Sequence, residues 1–357
     1  MQQVSPPDTT APPPCLPNAT VTPLCPPDEM APPPSPPDAM APPPPAPDVT
    51  TSPPPQPYAF REQLLGTCPY SRRNPPIPAR TLQRPAEDSM ACVWKLGVGD
   101  GRGFARLNRA LITLIPKKQD AMEIGDYMPI SLVHSFAKLF SKLVANRLRH
   151  RLGEMVSANQ SAFVRGRCLH DNFLLVRQVA RKINQMRQTG VLLKLDLTRA
   201  FDTMSWGFLQ EVLRAMGFGQ LFTKWIALLL YTANTRVIDN GVPGRRIQHT
   251  RGLRQGDPTS PMLFVLGMQV LTALMEKAVD NGLFNDLAGV SAMQRISIYA
   301  DDIVMFFRPL RHELLAVKEL LFIFGEASGL QANYTKTTAT LIRGVEEEKV
   351  RTQEILE

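Results

Sequence analysis

The sequence predicts an α+β fold, and three observations carry that expectation. Apolar runs of strand length alternate with helical stretches, but without a strict strand–helix–strand beat. The pair Asn240 and Gly241 marks an antiparallel hairpin turn between them. A second hairpin over residues 295–307 sets two adjacent aspartates, Asp301 and Asp302, at or near its turn, inside "ISIYADDIVMFF".

Residues 1–57 lie outside that pattern. They hold 23 of the 34 prolines and repeat on a ten-residue beat, "PPDEMAPPPS", "PPDAMAPPPP", "APDVTTSPPP". Proline at this density removes backbone donors and fixes φ, which bars helix and sheet interiors and leaves polyproline II or disorder. The segment reads as disordered and low in complexity, with either a PxxP-reading domain as partner or no partner at all, as an inert linker. Residues 58–104 are proline-punctuated and weakly periodic, a linker of uncertain structure.

Organised structure begins with "RALITLIPKK", a strand-like run closed by Pro116, Lys117 and Lys118. Over 137–152, Leu139, Phe140, Leu143, Val144, Leu148 and Leu152 recur at three and four, the stripe of an amphipathic helix. Lys138, Lys142, Arg149 and Arg151 lie off the stripe, where a solvated face and a phosphate-contacting face look the same. Residues 191–197 read as a buried strand. Ser205 caps a helix over 206–216 that Gly217 ends, and a second apolar helix spans 221–231. Asp257 is placed as the cap of a long helix, with Pro258 in its first position. A further helix over 310–327 stops at Ser328 and Gly329, "LQANYTKTTATLI" reads as extended, and 344–357 as a charged tail.

The proline-rich segment has five acidic residues and no lysine or arginine, so the rest of the chain carries all 40 basic residues against 27 of the 32 acidic ones. A body this basic favours a polyanionic partner. The five cysteines are odd in number, widely spaced and never in a C-x-x-C pair, which supports neither a disulfide framework nor a zinc site. No signal peptide is evident, and the longest apolar run, 261–275, is short and interrupted by Gln269, so no transmembrane segment and no membrane partner are expected. The implied setting is intracellular, in nucleus or cytoplasm.

Two like charges inside an apolar segment cost several kcal/mol unless something positive neutralises them. Asp196 repeats the pattern, alone among Leu193, Leu195 and Leu197 at the end of its strand. Three carboxylates brought to one sheet end make an anionic pocket that calls for hard cations. Mg2+ takes carboxylate oxygens and completes its shell with substrate phosphates. Two such ions about 4 Å apart clamp the attacking and leaving oxygens of a phosphoryl displacement.

The blocks "LIPKK", "DYMPISL", "NQSAFVRGR", "KLDLTRAFD", "GLRQGDPTSPMLF", "YADD" and "GLQANYTKT", in this order, resemble the reverse transcriptase domain of non-LTR retrotransposons of the long interspersed type, plant ones above all. The resemblance covers residues 105–343. It implies a right-hand polymerase fold with fingers and palm, the thumb largely missing, that extends a DNA primer on an RNA template from dNTPs. It implies Asp196, Asp301 and Asp302 as catalytic metal ligands for two Mg2+ ions, with Mn2+ as a substitute. Phe201 matches the aromatic gate that excludes a 2'-hydroxyl. Gln255 and Gly256 match the motif lying against nucleotide and template, Lys336 the lysine near the triphosphate, and Lys117 a further nucleotide contact. Arg251 and Arg254 are placed as backbone-phosphate contacts.

Where the family block carries arginine before "PISL", this chain has Met128, which supplies no donor to a triphosphate. Full-length elements of the resembled type carry an endonuclease ahead of the polymerase, where this sequence has the proline repeat. Two other readings therefore stand beside the polymerase: a catalytically decayed nucleic-acid-binding remnant, and a proline-rich interaction protein with a passenger polymerase domain. Met128 favours the first of these, and the intact carboxylates favour the enzyme.

Overall fold

The computed structural model describes residues 102–356. The readings of 1–57 as disordered with a PxxP-reading partner, and of 58–101 as a linker, lie outside the described residues.

A short helix α1 (Arg102–Leu107) leads into β1 (Arg109–Pro116), which turns back as β2 (Tyr127–Val133). They pair antiparallel from Ala110 with Val133 to Pro116 with Tyr127. Next come α2 (Ser135–Met155), α3 (Leu169–Gln185) and β3 (Gly190–Leu195). Helices α4 (Ala200–Thr203), α5 (Trp206–Ala215) and α6 (Gln220–Tyr231) lead to β4 (Asn234–Asp239), β5 (Val242–Pro243) and β6 (Ile247–Gln248). The long α7 (Ser260–Asp280) precedes the hairpin of β7 (Ile296–Tyr299) and β8 (Asp302–Phe307). Helix α8 (Arg311–Ser328), β9 (Thr338–Ile342) and α9 (Glu346–Leu356) end the described chain.

Two sheets result. The first runs β2-β1-β4-β5, with β6 on β4; the second runs β7-β8-β3-β9. Strands β1 and β4 are parallel neighbours although 117 residues, several helices among them, lie between Pro116 and Asn234, the non-local step that makes the fold α+β rather than a meander. In the second sheet all pairings are antiparallel.

The second sheet is covered on both faces, and its sequence shows it. Leu193, Leu195, Ile303, Met305 and Phe307 enter the large core with α7 and α8, whereas Leu192, Val304 and Phe306 meet Val179 and Ile183 of α3. Alternate residues of each strand thus serve opposite faces, the period-2 rule, and both faces are apolar. Helix α7 is apolar almost all round and buried accordingly. By length and composition it could cross a membrane, but two-thirds of its apolar window is packed inside the protein. Its buried Gln269 accepts hydrogen bonds from the Ser157 backbone (2.9 Å) and hydroxyl (2.8 Å).

Most element readings are met. The Ser205 hydroxyl accepts from Phe208 N at the start of α5, and Asn240 and Gly241, at φ 48 and 81, join β4 to β5. Three differ. The cap of α7 is Thr259, not Asp257, and the proline in its first turn is Pro261, because the Asp257 carboxylate bends onto Thr259 N (2.9 Å) and its hydroxyl (2.7 Å) and delays the helix. Only Thr338–Ile342 of the 330–342 stretch is strand, since Asn333 nucleates a turn before it. The charged stretch 344–357 contains a helix, packed on α8 through buried Thr352 and Leu356, with Lys318 Nζ on Ile355 O at 2.8 Å.

Candidate active site

The register of the second sheet assembles the acidic residues. Leu195 pairs with Ile303, so the next step along each strand sets Asp196 beside Asp302. Tyr299 pairs with Asp302, leaving Ala300 and Asp301 as the two turn residues. A single sheet end therefore receives all three carboxylates, Asp196 half-buried and the pair exposed.

Among the described residues none of the three makes an ion pair. Nor do three acidic, histidine or cysteine side chains among the described residues gather tightly enough to hold a metal alone. The expected three-ligand pocket is thus open rather than a closed cage. Hard carboxylate donors that are not ion-paired suit a divalent ion whose remaining oxygens come from phosphates and water.

The segment after β3 is fastened on two sides. Asn333 N donates to Asp196 O (2.8 Å), Asp196 N to Thr337 Oγ1 (3.2 Å), and Thr198 N to Gln331 O (2.9 Å). The Asn333 carbonyl collects Lys336 N (3.1 Å), Thr337 N (2.9 Å) and the Thr337 hydroxyl (2.8 Å), so Asn333 is the turn's organiser. Lys336 is exposed on a turn bonded directly to the Asp196 backbone.

Phe201 lies in the short α4, half-buried and stacked on Phe264 of α7 at 4.5 Å and 14°. Its carbonyl accepts Leu253 N (2.6 Å), and Met204 O accepts Gly252 N (2.8 Å), which lashes the loop holding Gln255 and Gly256 to α4. Gly252, at φ 82, lies so close to the Asp202 carbonyl that any side chain would collide with it. Gly256, at φ 94, would set a Cβ 3.1 Å from Ser131 O of β2, so the same loop also touches the first sheet. Gln255 is half-buried between these two glycines, and Arg251 is exposed.

Arg254 is a correction. Rather than facing a phosphate backbone, it is 8% exposed and donates to the Asn108 side-chain and backbone oxygens and to Leu229 O. Burial depresses its guanidinium, and the nearby Asp257 charge partly offsets that cost. It fastens the loop to the start of β1. Lys117 is a second departure: its ammonium donates to Gly125 O at 3.1 Å within the β1–β2 turn, beside the Lys118–Asp126 ion pair at 2.8 Å. No contact links it to the carboxylates. Lys118, with hydrogen bonds from Glu123 and Met122, holds the Asp126 carboxyl below its usual range.

Several residues that organise the site were not singled out from sequence. Ser141 of α2 donates its hydroxyl to Asp257, and Asn108 receives Arg254. The loop 156–167 runs against β7, with a parallel bridge between Gln160 and Ile298. The quoted block "NQSAFVRGR" was the available signal, but it does not say what the block touches.

Residues 115–355 match the family described as reverse transcriptase (RNA-dependent DNA polymerase). The chain is 30% identical over 236 residues to an uncharacterized 149 kDa protein of transposon TX1 from Xenopus laevis, covering 65% of this chain and 18% of that protein. It is 26% identical over 240 residues to a Pol polyprotein of the type-2 retrotransposable element R2DM from Drosophila melanogaster, covering 67% and 22%. The chain thus spans about a fifth of the length of these relatives. A telomerase structure from Candida tropicalis aligns at 13% identity over 71% of this chain and 44% of that one, with a TM-score of 0.49.

Proposed function

We propose, for a chain that belongs to the reverse transcriptase (RNA-dependent DNA polymerase) family, that it copies RNA by adding deoxynucleotides to a DNA primer 3'-hydroxyl. Its reverse transcriptase domain is that of a non-LTR element, as the two retrotransposon relatives indicate. The observation that carries the reading is the set of three carboxylates at one end of the second sheet, none of them in an ion pair among the described residues.

Asp196 and Asp301 are the ligands for two Mg2+ ions, with Asp302 nearest the primer end. When bound, these ions would neutralise the triphosphate and favour departure of pyrophosphate. The protein supplies the positioning. Phe201, its ring braced on Phe264, blocks a 2'-hydroxyl, and Gln255 with Gly256 lies against nucleotide and template. Lys336 is the candidate proton donor to the leaving pyrophosphate, and Arg251 a contact to the nucleic-acid backbone. Lys117 serves the triphosphate only if its bond to Gly125 opens.

A second reading has an observation in its favour. Met128, where a basic residue would grip the triphosphate, is 42% exposed on the β1–β2 hairpin, in keeping with a domain that binds nucleic acid without turnover. Primer extension by the full chain on an RNA template with Mg2+, using Asp196→Ala as the blank, separates the two. Extension by wild type alone is expected. Template binding without extension in either protein would select the binding remnant.

A further inference from the structure

The turn that carries Asp301 is held from outside its own sheet. Ala300, directly before Asp301, sits at φ 56, a conformation that an L-residue other than glycine adopts reluctantly. Its N–H donates to Gln160 Oε1 at 3.3 Å, and the same oxygen accepts Ala162 N at 2.9 Å. Gln160 is 0% exposed. Its backbone runs parallel to β7: Ile298 N donates to Asn159 O (2.8 Å) and Ser161 N to Ile298 O (3.3 Å).

That loop is itself fixed. The Arg167 guanidinium donates to the carbonyls of Gly153, Val156, Ser157 and Gln160, capping the C-terminal end of α2. Asn172 Nδ2 clasps Asn159 O (3.0 Å) and Ile298 O (2.9 Å) together.

We propose that Gln160 is a positioning residue that sets the Ala300–Asp301 turn, and through it the place of the Asp301 carboxylate; the catalytic half of this statement rests on the polymerase reading. The chemistry explains the residue type. The site needs one buried oxygen able to accept two N–H groups, and an amide supplies it without adding a further negative charge beside Asp301 and Asp302. An apolar side chain would leave both N–H groups buried and unpaired.

The test pairs Gln160→Met, which keeps shape and removes the strong acceptor, with Gln160→Glu, which keeps the acceptor. Hydrogen exchange of the Ala300 amide is read in the full chain without substrate. In the methionine variant it is expected to speed up about tenfold, and in the glutamate variant to stay protected as in wild type. In primer extension the methionine variant is expected to lose about tenfold or more in kcat with KM for primer–template little changed, because a reacting group displaced by about an Å is costly.

Unchanged exchange at Ala300 in a folded Gln160→Met protein overturns the proposal. So does unchanged kcat in that protein. Should that variant be unfolded by circular dichroism, loss of Ala300 protection in Gln160→Glu overturns it instead, and retained protection supports it. A wild type that extends no primer while Ala300 exchange follows the expected pattern defeats the polymerase reading and leaves the contact standing.

Discussion

The two hairpins of this protein are built from similar residues and live in opposite environments. The β7–β8 hairpin has apolar packing on both faces, with Ile298, Ile303, Met305, Phe306 and Phe307 all at 0% exposure. The β1–β2 hairpin pairs Leu111 with Leu132 and Ile115 with Met128 on one face, and all four remain more than a third exposed. Register in the first case is enforced by burial, since a one-residue slip would send one apolar set into the other's place with different partners. Register in the second rests on backbone hydrogen bonds and a turn tied by Lys117 and Lys118. The acidic residues thus stand at the end of a hairpin buried on both faces, while the matching hairpin keeps its apolar face in solvent.

Core truncation sharpens that contrast most. Phe307→Ala should cost about 3–5 kcal/mol, whereas Ile115→Ala should cost under about 1 kcal/mol, both read from urea unfolding midpoints. Equal costs would mean that the β1–β2 face is covered as fully as the second sheet.

Arg254 joins the two regions, because its loop is bonded to α4 beside the second sheet and its guanidinium to Asn108 at the start of β1. Arg254→Ala should therefore destabilise by about 2–3 kcal/mol, because the buried Asn108 Oδ1 loses its donor. Arg251→Ala, at an exposed site, should leave stability within about 0.5 kcal/mol and lower the salt dependence of template binding by about one unit in log–log slope. The reverse pattern would restore Arg254 as a phosphate contact.

A smaller effect reports on the first sheet through pH. His249 lies with its Nε2 3.1 Å from Thr235 Oγ1 of β4, and burial, aided by Arg254, lowers its pKa from 6.5. The unfolded chain then binds the proton more readily than the folded one. His249 thus favours the fold fully above pH 6.5, and that contribution is lost as pH falls from 6.5 through the folded value. Melting temperature should drop over this window in wild type, and less in His249→Gln.

Much of the second sheet was legible in the sequence, because its signals are local. Apolar strands bounded by a turn, Ser205 before α5, Gly217 after it, and the Asp pair between two apolar tracts each state their own conformation. What the sequence did not disclose depends on distant partners. Arg254 reads as a loop arginine until Asn108, 146 positions away, is brought against it. Lys117 reads as a nucleotide contact until the turn at Gly125 folds back on it. Gln160 lies 140 positions from Ala300, and no periodicity connects them. Asp257 and Pro258 are a fair cap by pattern, yet the Asp257 side chain finds Ser141 and the helix starts later.

The central claim is that Asp301 stands at the sheet end for chemistry and contributes nothing to holding the fold. Asp301→Asn removes a charge that has no ion-pair partner among the described residues and lies beside two others. Measured on one preparation, its urea midpoint should equal or exceed that of wild type, while RNA-templated primer extension should fall by about a thousandfold or more. A variant that unfolds more readily than wild type and still extends the primer would contradict the account.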